Sequence, residues 1–434
     1  MSTKPVAPYS EERVSLGPFC VDLANKRVLR GGKEVELRPR AFRALRVLLQ
    51  NPGHLVAYEQ MISDAWDGVR VSKHTVAVTI AEIKEILAEC GPWITCQPKF
   101  GHRLEIPESE DLMVTGRHFR NQFTRRGFEN ALGCFQQAVQ RDNADFRAME
   151  ALANVYLLLG AFYLRAADDA GHRFFTTYEQ AVALHGSTSD LRLDHAYARY
   201  VFEGDVAQAE LELLELHKER AVSAELFARL AMVYMAQHRL DEALAQIKLA
   251  RAVDMLVPPL TFVATRVHIV RRDFDLALAN SKKSVDLHPA SPYGRLFYAE
   301  ALEHLGKNEE ALAQFRLAIS IGPDVPMIRA STARFLAKSG QPVAAIRILA
   351  DLQEKRAEEY VDPYHLALLL HALGRKEEAL QELLRAREER SHSVLFFDID
   401  PKADSLRADL RGNSSREVEW SGDAHGALVC ATGW

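Results

Sequence analysis

Gly306-Lys307-Asn308-Glu309-Glu310-Ala311…Phe315…Ala318…Pro323 is the stretch that decides the fold of most of this chain. A turn residue is followed by an alanine five places on, a bulky residue after four more, a second alanine, and then a proline. The cadence returns at Gly374…Ala379…Leu383…Ala386, Gly340…Ala345…Leu349 and Arg272…Ala277…Pro289. It is found again at His238…Ala243…Ile247…Ala250 and Gly204…Ala209, and Gly127…Ala131…Phe135…Ala138 reads as the second helix of an opening pair. The spacing is about 34 residues, the period of a stacked helical hairpin. Small residues sit where two helices cross closely, the bulky one fills the gap between neighbours, and proline stops the second helix. No hairpin can bury its apolar face alone, so stacking must supply the core. About seven or eight units fit between residues 120 and 390, and the stretch 161–190 breaks the period, which predicts a lengthened or irregular unit.

These units resemble tetratricopeptide repeats. The resemblance implies a concave groove that receives a protein or peptide, a small ligand, or a second copy of the chain in a homodimer. Phe162, Tyr163, Phe174, Phe175 and Tyr178 are candidates to line a pocket, with core packing as the alternative. Phe397 to Leu410 is similar to the closing segment of such arrays. Residues 412–434 turn polar and Gly/Ser-rich around Trp420 and Trp434, which predicts a partly disordered tail.

Upstream the pattern is different. Val14 to Leu29 alternates apolar and polar residues, and Gly31-Gly32 leads into Val35-Glu36-Leu37, as in a small antiparallel sheet. Arg40 to Gln50 is an amphipathic helix ended by Asn51-Pro52-Gly53, and Tyr58 to Trp66 is a second. Ser72 can cap a third helix, whose buried side is Val76, Ile80, Ile83 and Leu87. Trp93 to Ile106 is a hairpin with Pro98-Lys99-Phe100-Gly101 at its tip. Strands, three helices and a terminal hairpin make a winged helix.

The residues themselves resemble the OmpR-type winged-helix DNA-binding family over roughly 14–106. Gly32-Lys33-Glu34-Val35-Glu36-Leu37, Phe42-Arg43-Ala44-Leu45, Asn51-Pro52-Gly53-His54-Leu55-Val56 and Ala65-Trp66-Asp67-Gly68 carry the resemblance. Val71-Ser72-Lys73-His74-Thr75-Val76 and the wing Ile94-Thr95-Cys96…Gly101-His102-Arg103-Leu104 complete it in family order. The third helix then enters a major groove, where base edges carry a unique donor and acceptor code. Lys73, His74, Thr75 and Thr79 are the expected base or phosphate contacts, with Lys84 on phosphate. Lys99, His102 and Arg103 of the wing reach the backbone or minor groove, while packing of His102 against the sheet is the alternative. The family's polymerase- or protomer-contact loop falls on Asp67, Gly68, Val69, Arg70 and Val71. Ala81, Glu82, Glu85 and Pro98 stand where family members commonly carry cations or Arg-Gly, so affinity and salt slope should be modest for one domain.

Of the net charge of −5, residues 1–108 carry +2 (fifteen Lys and Arg against thirteen Asp and Glu), which leaves −7 for the rest. A mildly basic head on an acidic body suits DNA binding by the head alone. No P-loop, nucleophile elbow, zinc-protease or dinucleotide fingerprint occurs, so neither an enzyme nor a cofactor is expected. Five cysteines without CxxC spacing read as buried thiols of a reducing compartment. With no signal peptide, and with Ala151 to Leu164 as the longest apolar run, the protein is expected in the cytoplasm and off the membrane. Only about a dozen residues precede the winged helix, so no receiver domain is expected.

The expected organisation is a disordered 1–13, a winged helix at 14–106, a polar linker at 107–119, a repeat domain at 120–411 and the tail. The fold class is mainly α: an N-terminal α/β winged helix-turn-helix followed by an α-solenoid of tetratricopeptide-like hairpins. The expected function is a bacterial transcription regulator reading double-stranded promoter DNA, with RNA polymerase a possible partner. It resembles one-component activators of virulence or secretion genes. The alternative is an interaction scaffold whose degenerate winged helix binds protein.

Overall fold

The computed structural model describes residues 13–412, apart from 18, 24, 31, 32, 70, 220–222 and 255–257. The expected disorder of 1–13 and of 412–434, with Trp420, Trp434 and Cys430, lies outside the described residues except at Arg13, which opens a strand, and Gly412, which ends a helix; Gly32 and Arg70 also lie outside them. The chain forms two compact units. One takes the chain up to His118 together with Gly133–Asn143, and the other takes Phe119–Leu132 and the chain from Ala144 onward.

In the first unit, β1 (Arg13–Leu16), β2 (Phe19–Asp22), β3 (Arg27–Arg30) and β4 (Lys33–Val35) form an antiparallel sheet in chain order. Leu16, Phe19, Val21 and Val28 turn inward from it, as the alternation requires. Three helices complete the core: α1 (Pro39–Gln50), α2 (Tyr58–Trp66) and α3 (Lys73–Ile86). Val76, Ile80 and Ile83 of α3 and Leu87 just beyond it are buried, so the i, i+4, i+7, i+11 spacing was read correctly.

Two features of this unit escaped the sequence reading. Leu55–Ala57 is a strand, β5, that pairs with β7 (Gly101–Leu104), which in turn pairs with β6 (Ile94–Gln97). At three residues β5 is too short for periodicity to show. The approach of β5 explains Gly101: a Cβ there would lie 2.0 Å from the Val56 carbonyl oxygen, and its φ is +157°. A 3₁₀ turn at Ala88–Trp93 was also not anticipated.

The expected polar linker is instead a helix, α4 (Glu108–Arg120), which pairs with α5 (Arg125–Arg141). Its surface-like composition hid a buried stripe of Met113, Val114 and Gly116. The ring of Phe135 sits where a Cβ on Gly116 would be, 2.4 Å away, so the two helices cross closely.

Seven further pairs follow among the described residues: α6 (Phe146–Ala161) with α7 (Ala167–His185), α8 (Ser189–Ala198) with α9 (Val206–Lys218), and α10 (Ala224–Ala236) with α11 (Leu240–Val253). Then come α12 (Pro258–Val270) with α13 (Phe274–Leu287), α14 (Pro292–His304) with α15 (Asn308–Ile321), and α16 (Pro326–Lys338) with α17 (Pro342–Lys355). α18 (Pro363–Ala372) with α19 (Lys376–Glu388) is the last pair, closed by two 3₁₀ turns and α20 (Asp404–Gly412). Ala209, Ala243, Ala277, Ala311, Ala345 and Ala379 are all fully buried. The turn position before each alanine has a left-handed φ, from +62° at His238 and +66° at Arg272 to +78° at Gly374. That conformation is why glycine dominates there.

The break in period has a packing cause. Cβ atoms on Gly160 and Gly171 would lie 2.2 and 3.0 Å from Phe202, which enters from a π-turn at Arg199–Glu203. α6 and α7 are lengthened to 16 and 19 residues, and Tyr163 between them takes a left-handed φ of +55°. The thiols are more varied than expected: Cys90 is buried, Cys20 and Cys134 are half-buried and Cys96 is exposed. No described helix is long and apolar enough to cross a membrane.

Candidate nucleic-acid interface

Ser72 begins α3 as its sequence suggests. Its Oγ accepts the Thr75 amide at 3.1 Å, which pins the first turn and leaves other amides of that turn to face outward. Lys73, His74 and Thr75 are exposed there. The Lys73 ammonium lies 5.0 Å from the Tyr58 ring centroid and donates to the Lys99 carbonyl at 3.2 Å. The start of α3 is thereby tied to the turn between β6 and β7. That turn is held in place by the Tyr58 amide, which donates to Phe100 O at 3.1 Å. Lys99 adopts a φ of +74° at its apex and is exposed.

Other candidates are less free. The Thr79 hydroxyl donates back to Thr75 O at 3.0 Å, and its side chain is half-buried. Lys84 is also half-buried. Arg103 is paired with Glu105 at 3.1 Å. The expectation that His102 reaches DNA is corrected: it is 3% exposed and meets the Tyr58 ring edge-on at 5.5 Å. Burial, reinforced by Lys84, holds its pKa below the usual imidazole value, so the ring is a neutral packing group. Of the contact loop, Asp67, Gly68 and Val69 are exposed and Val71 is half-buried.

Two further features of this face were missed. Val78 is 50% exposed between the candidate polar positions, and Phe100 is 65% exposed at the wing tip. Apolar residues at outward positions were the available signal. Glu82 is gripped by Arg38, with Nε to Oε1 at 2.6 Å, and the carboxylate raises the guanidinium pKa. The acidic departure on α3 is therefore neutralised by a residue forty-four positions upstream.

In the second unit, Phe162 and Tyr163 point into the interior of the array and Phe162 packs on Tyr293 at 4.6 Å. Phe174, Phe175 and Tyr178 instead cluster with one another, with Phe202 and with His195.

Residues 32–104 match the family described as transcriptional regulatory protein, C terminal, and residues 266–326 match the tetratricopeptide repeat. The regulator CutR of Streptomyces coelicolor is 35% identical over 85 residues, which are 19% of this chain and 39% of CutR. The activator CadC of Escherichia coli is 26% identical over 113 residues, 24% of this chain and 22% of CadC. The chain thus spans about two fifths of the length of CutR and less of CadC. A solved structure of the human IFIT1 dimer with m7Gppp-AAAA aligns at a TM-score of 0.52 and 16% identity. The alignment covers 78% of this chain and 77% of that one, a likeness of fold. The chain therefore carries an OmpR-type transcriptional regulatory domain in its N-terminal part and a tetratricopeptide-repeat array after it.

Proposed function

We propose that the protein is a sequence-specific regulator whose α3 reads promoter DNA in the major groove while the β6–β7 wing contacts the flanking backbone. The observation that carries this reading is the exposed, capped start of α3 with Lys73, His74 and Thr75, coupled through Lys73 to the Lys99 turn. Free amides and a cation there suit a phosphate, and Val78 suits a thymine methyl. With Glu82 neutralised by Arg38 and Arg103 shared with Glu105, few free cations remain on this face, so one head binds weakly. Binding as a homodimer, or beside RNA polymerase through Asp67–Val71, compensates for that. The repeat array receives the partner or ligand that governs binding.

Genomic DNA selection with the full chain tests the reading: an enriched motif supports it, and none sinks it. On the enriched site, Lys73→Ala with Lys99→Ala should weaken binding and cut the slope of log K against log salt by about 2, since each phosphate contact contributes roughly 0.9. Unchanged binding and slope would remove these residues from the interface.

A further inference from the structure

The first helices of the pairs, from α6 to α18, each turn a face toward a common interior in the second unit. A cavity of about 150 Å³ remains among them. Its wall is largely apolar and aromatic, with Met232, Phe262, Tyr293, Phe297, Met327 and Phe396 prominent. The segment after α19 covers one side: His392 stacks on Tyr163 at 4.3 Å, and the Phe396 ring lies 4.6 Å from the Arg266 guanidinium.

The charges on this wall are not equivalent. Arg229 is shared by Asp194 and Glu225, each at 2.5 Å. Lys402 holds Glu300 at 2.9 Å and stands 3.9 Å from Asp400, which also accepts from the Tyr364 hydroxyl at 3.0 Å. Every carboxylate on the wall therefore has a cation. Arg266 has no ion pair among the described residues; its neighbours are the phenols of Tyr163, Tyr197 and Tyr200, with Asp400 acting only from a distance. Its guanidinium is held by the Phe396 ring and by these phenols rather than by a carboxylate, so no anion on the wall matches its charge. Its planar fork of donors matches a carboxylate in two-point contact.

We propose that this cavity binds a small organic carboxylate with a compact aromatic body, the carboxylate seated on Arg266 and the ring among the aromatic walls. The size agrees: an apolar cavity of about 150 Å³ holds a benzene-sized molecule. A benzoate or phenylacetate skeleton fits it, and a folded domain or an extended peptide does not. Bound there, the ligand bridges α12 and the segment that carries Phe396, so occupancy reports on closure of the array. The inference deepens the receiving role proposed for the repeats and is independent of DNA.

Titration calorimetry and thermal melts of the full chain, without DNA, test it with sodium benzoate and phenylacetate against benzamide at matched ionic strength. The carboxylates should bind and raise the melting temperature, and benzamide should bind at least about ten-fold more weakly, a charged hydrogen-bonded pair being lost. Arg266→Met should abolish that preference, and Val263→Phe, which fills the cavity, should abolish binding of every probe. Absence of carboxylate binding, equal affinity for benzamide, or an unchanged preference in Arg266→Met would each overturn the proposal. Should Arg266→Met fail to fold, the carboxylate–amide comparison on the native chain and the Val263→Phe variant still decide. Because no DNA is present, failure of the promoter reading leaves this result untouched.

Discussion

The two regions use charge in opposite ways. In the winged-helix head the ion pairs lie at the surface: Arg38 with Glu82, Arg43 with Asp67, Arg103 with Glu105. Water and salt screen them, and the fold scarcely depends on them. The repeat body carries surface pairs too, such as Arg272 with Asp404, but it also places pairs inside. Arg229 joins Asp194 across 35 residues of sequence, Arg334 joins Glu303 across 31, and Lys402 joins Glu300 across 102. A charge removed from the head should therefore change what the protein binds. A charge removed from the interior of the body should change whether it folds.

The largest expected break in that contrast is Arg229→Met. It leaves Asp194 buried and Glu225 half-open without their shared cation. Loss of one partner from a buried pair costs about 3–5 kcal/mol. Burial already raises the Asp194 pKa, so this carboxyl can take up a proton, which places the expected loss near the lower end. Urea unfolding followed by far-UV circular dichroism measures it. Arg103→Ala in the head is the matched control, with about 0.5 kcal/mol or less expected. Equal effects in the two variants would erase the distinction between the regions.

Acid should separate them next. His392, stacked on Tyr163 and fully enclosed, has its pKa pushed down to about 3, first by burial and then by Arg266. In the unfolded chain it titrates near 6.5. Between those values the unfolded chain binds a proton that the folded one refuses. Stability contributed by the neutral ring is thus fully present above about pH 6.5 and falls as pH drops toward 3, by at most about 1.4 kcal/mol per unit. His392→Asn removes that group from the titration. The native chain should lose stability faster than the variant between pH 6 and 4, as read from melting temperatures. Parallel pH profiles would show that His392 is not held neutral.

The same contrast explains what the sequence made legible. The repeat was readable because each crossing alanine and each turn recurs, so six positions testify to one geometry. The α3 face was readable because amphipathic spacing separates Val76, Ile80 and Ile83 from Lys73, His74 and Thr75 within a few residues. Three-residue β5 carries too little pattern, and α4 looked like a linker because Glu108, Glu110 and Asp111 outweigh its short apolar stripe. His102 is a polar residue that packs as a hydrophobe, which only the neighbouring Tyr58 and Lys84 reveal. The interior cations were illegible for a different reason. Arg229, Arg266 and Lys402 look like ordinary surface charges until distant helices are brought together, and composition counts them with the rest.

The smallest expected effect tests the repeat geometry itself. His238 occupies the turn position that Gly204, Gly306, Gly340 and Gly374 fill elsewhere, with the same left-handed backbone at φ +62°. An L-residue with a Cβ is strained there by roughly 1–2 kcal/mol, and glycine is not. The His238 side chain is exposed, so little packing is lost on its removal. Glycine also frees the unfolded chain, which takes back part of the gain. His238→Gly should therefore stabilise the body by somewhat less than 1 kcal/mol, seen as a small rise in urea midpoint with an unchanged slope. Arg272→Gly relieves the same strain but loses the two 2.8 Å contacts of Arg272 with Asp404, so its net gain should be smaller. A destabilised His238→Gly would mean that the turn is held by the side chain and not by the backbone conformation that the repeat demands.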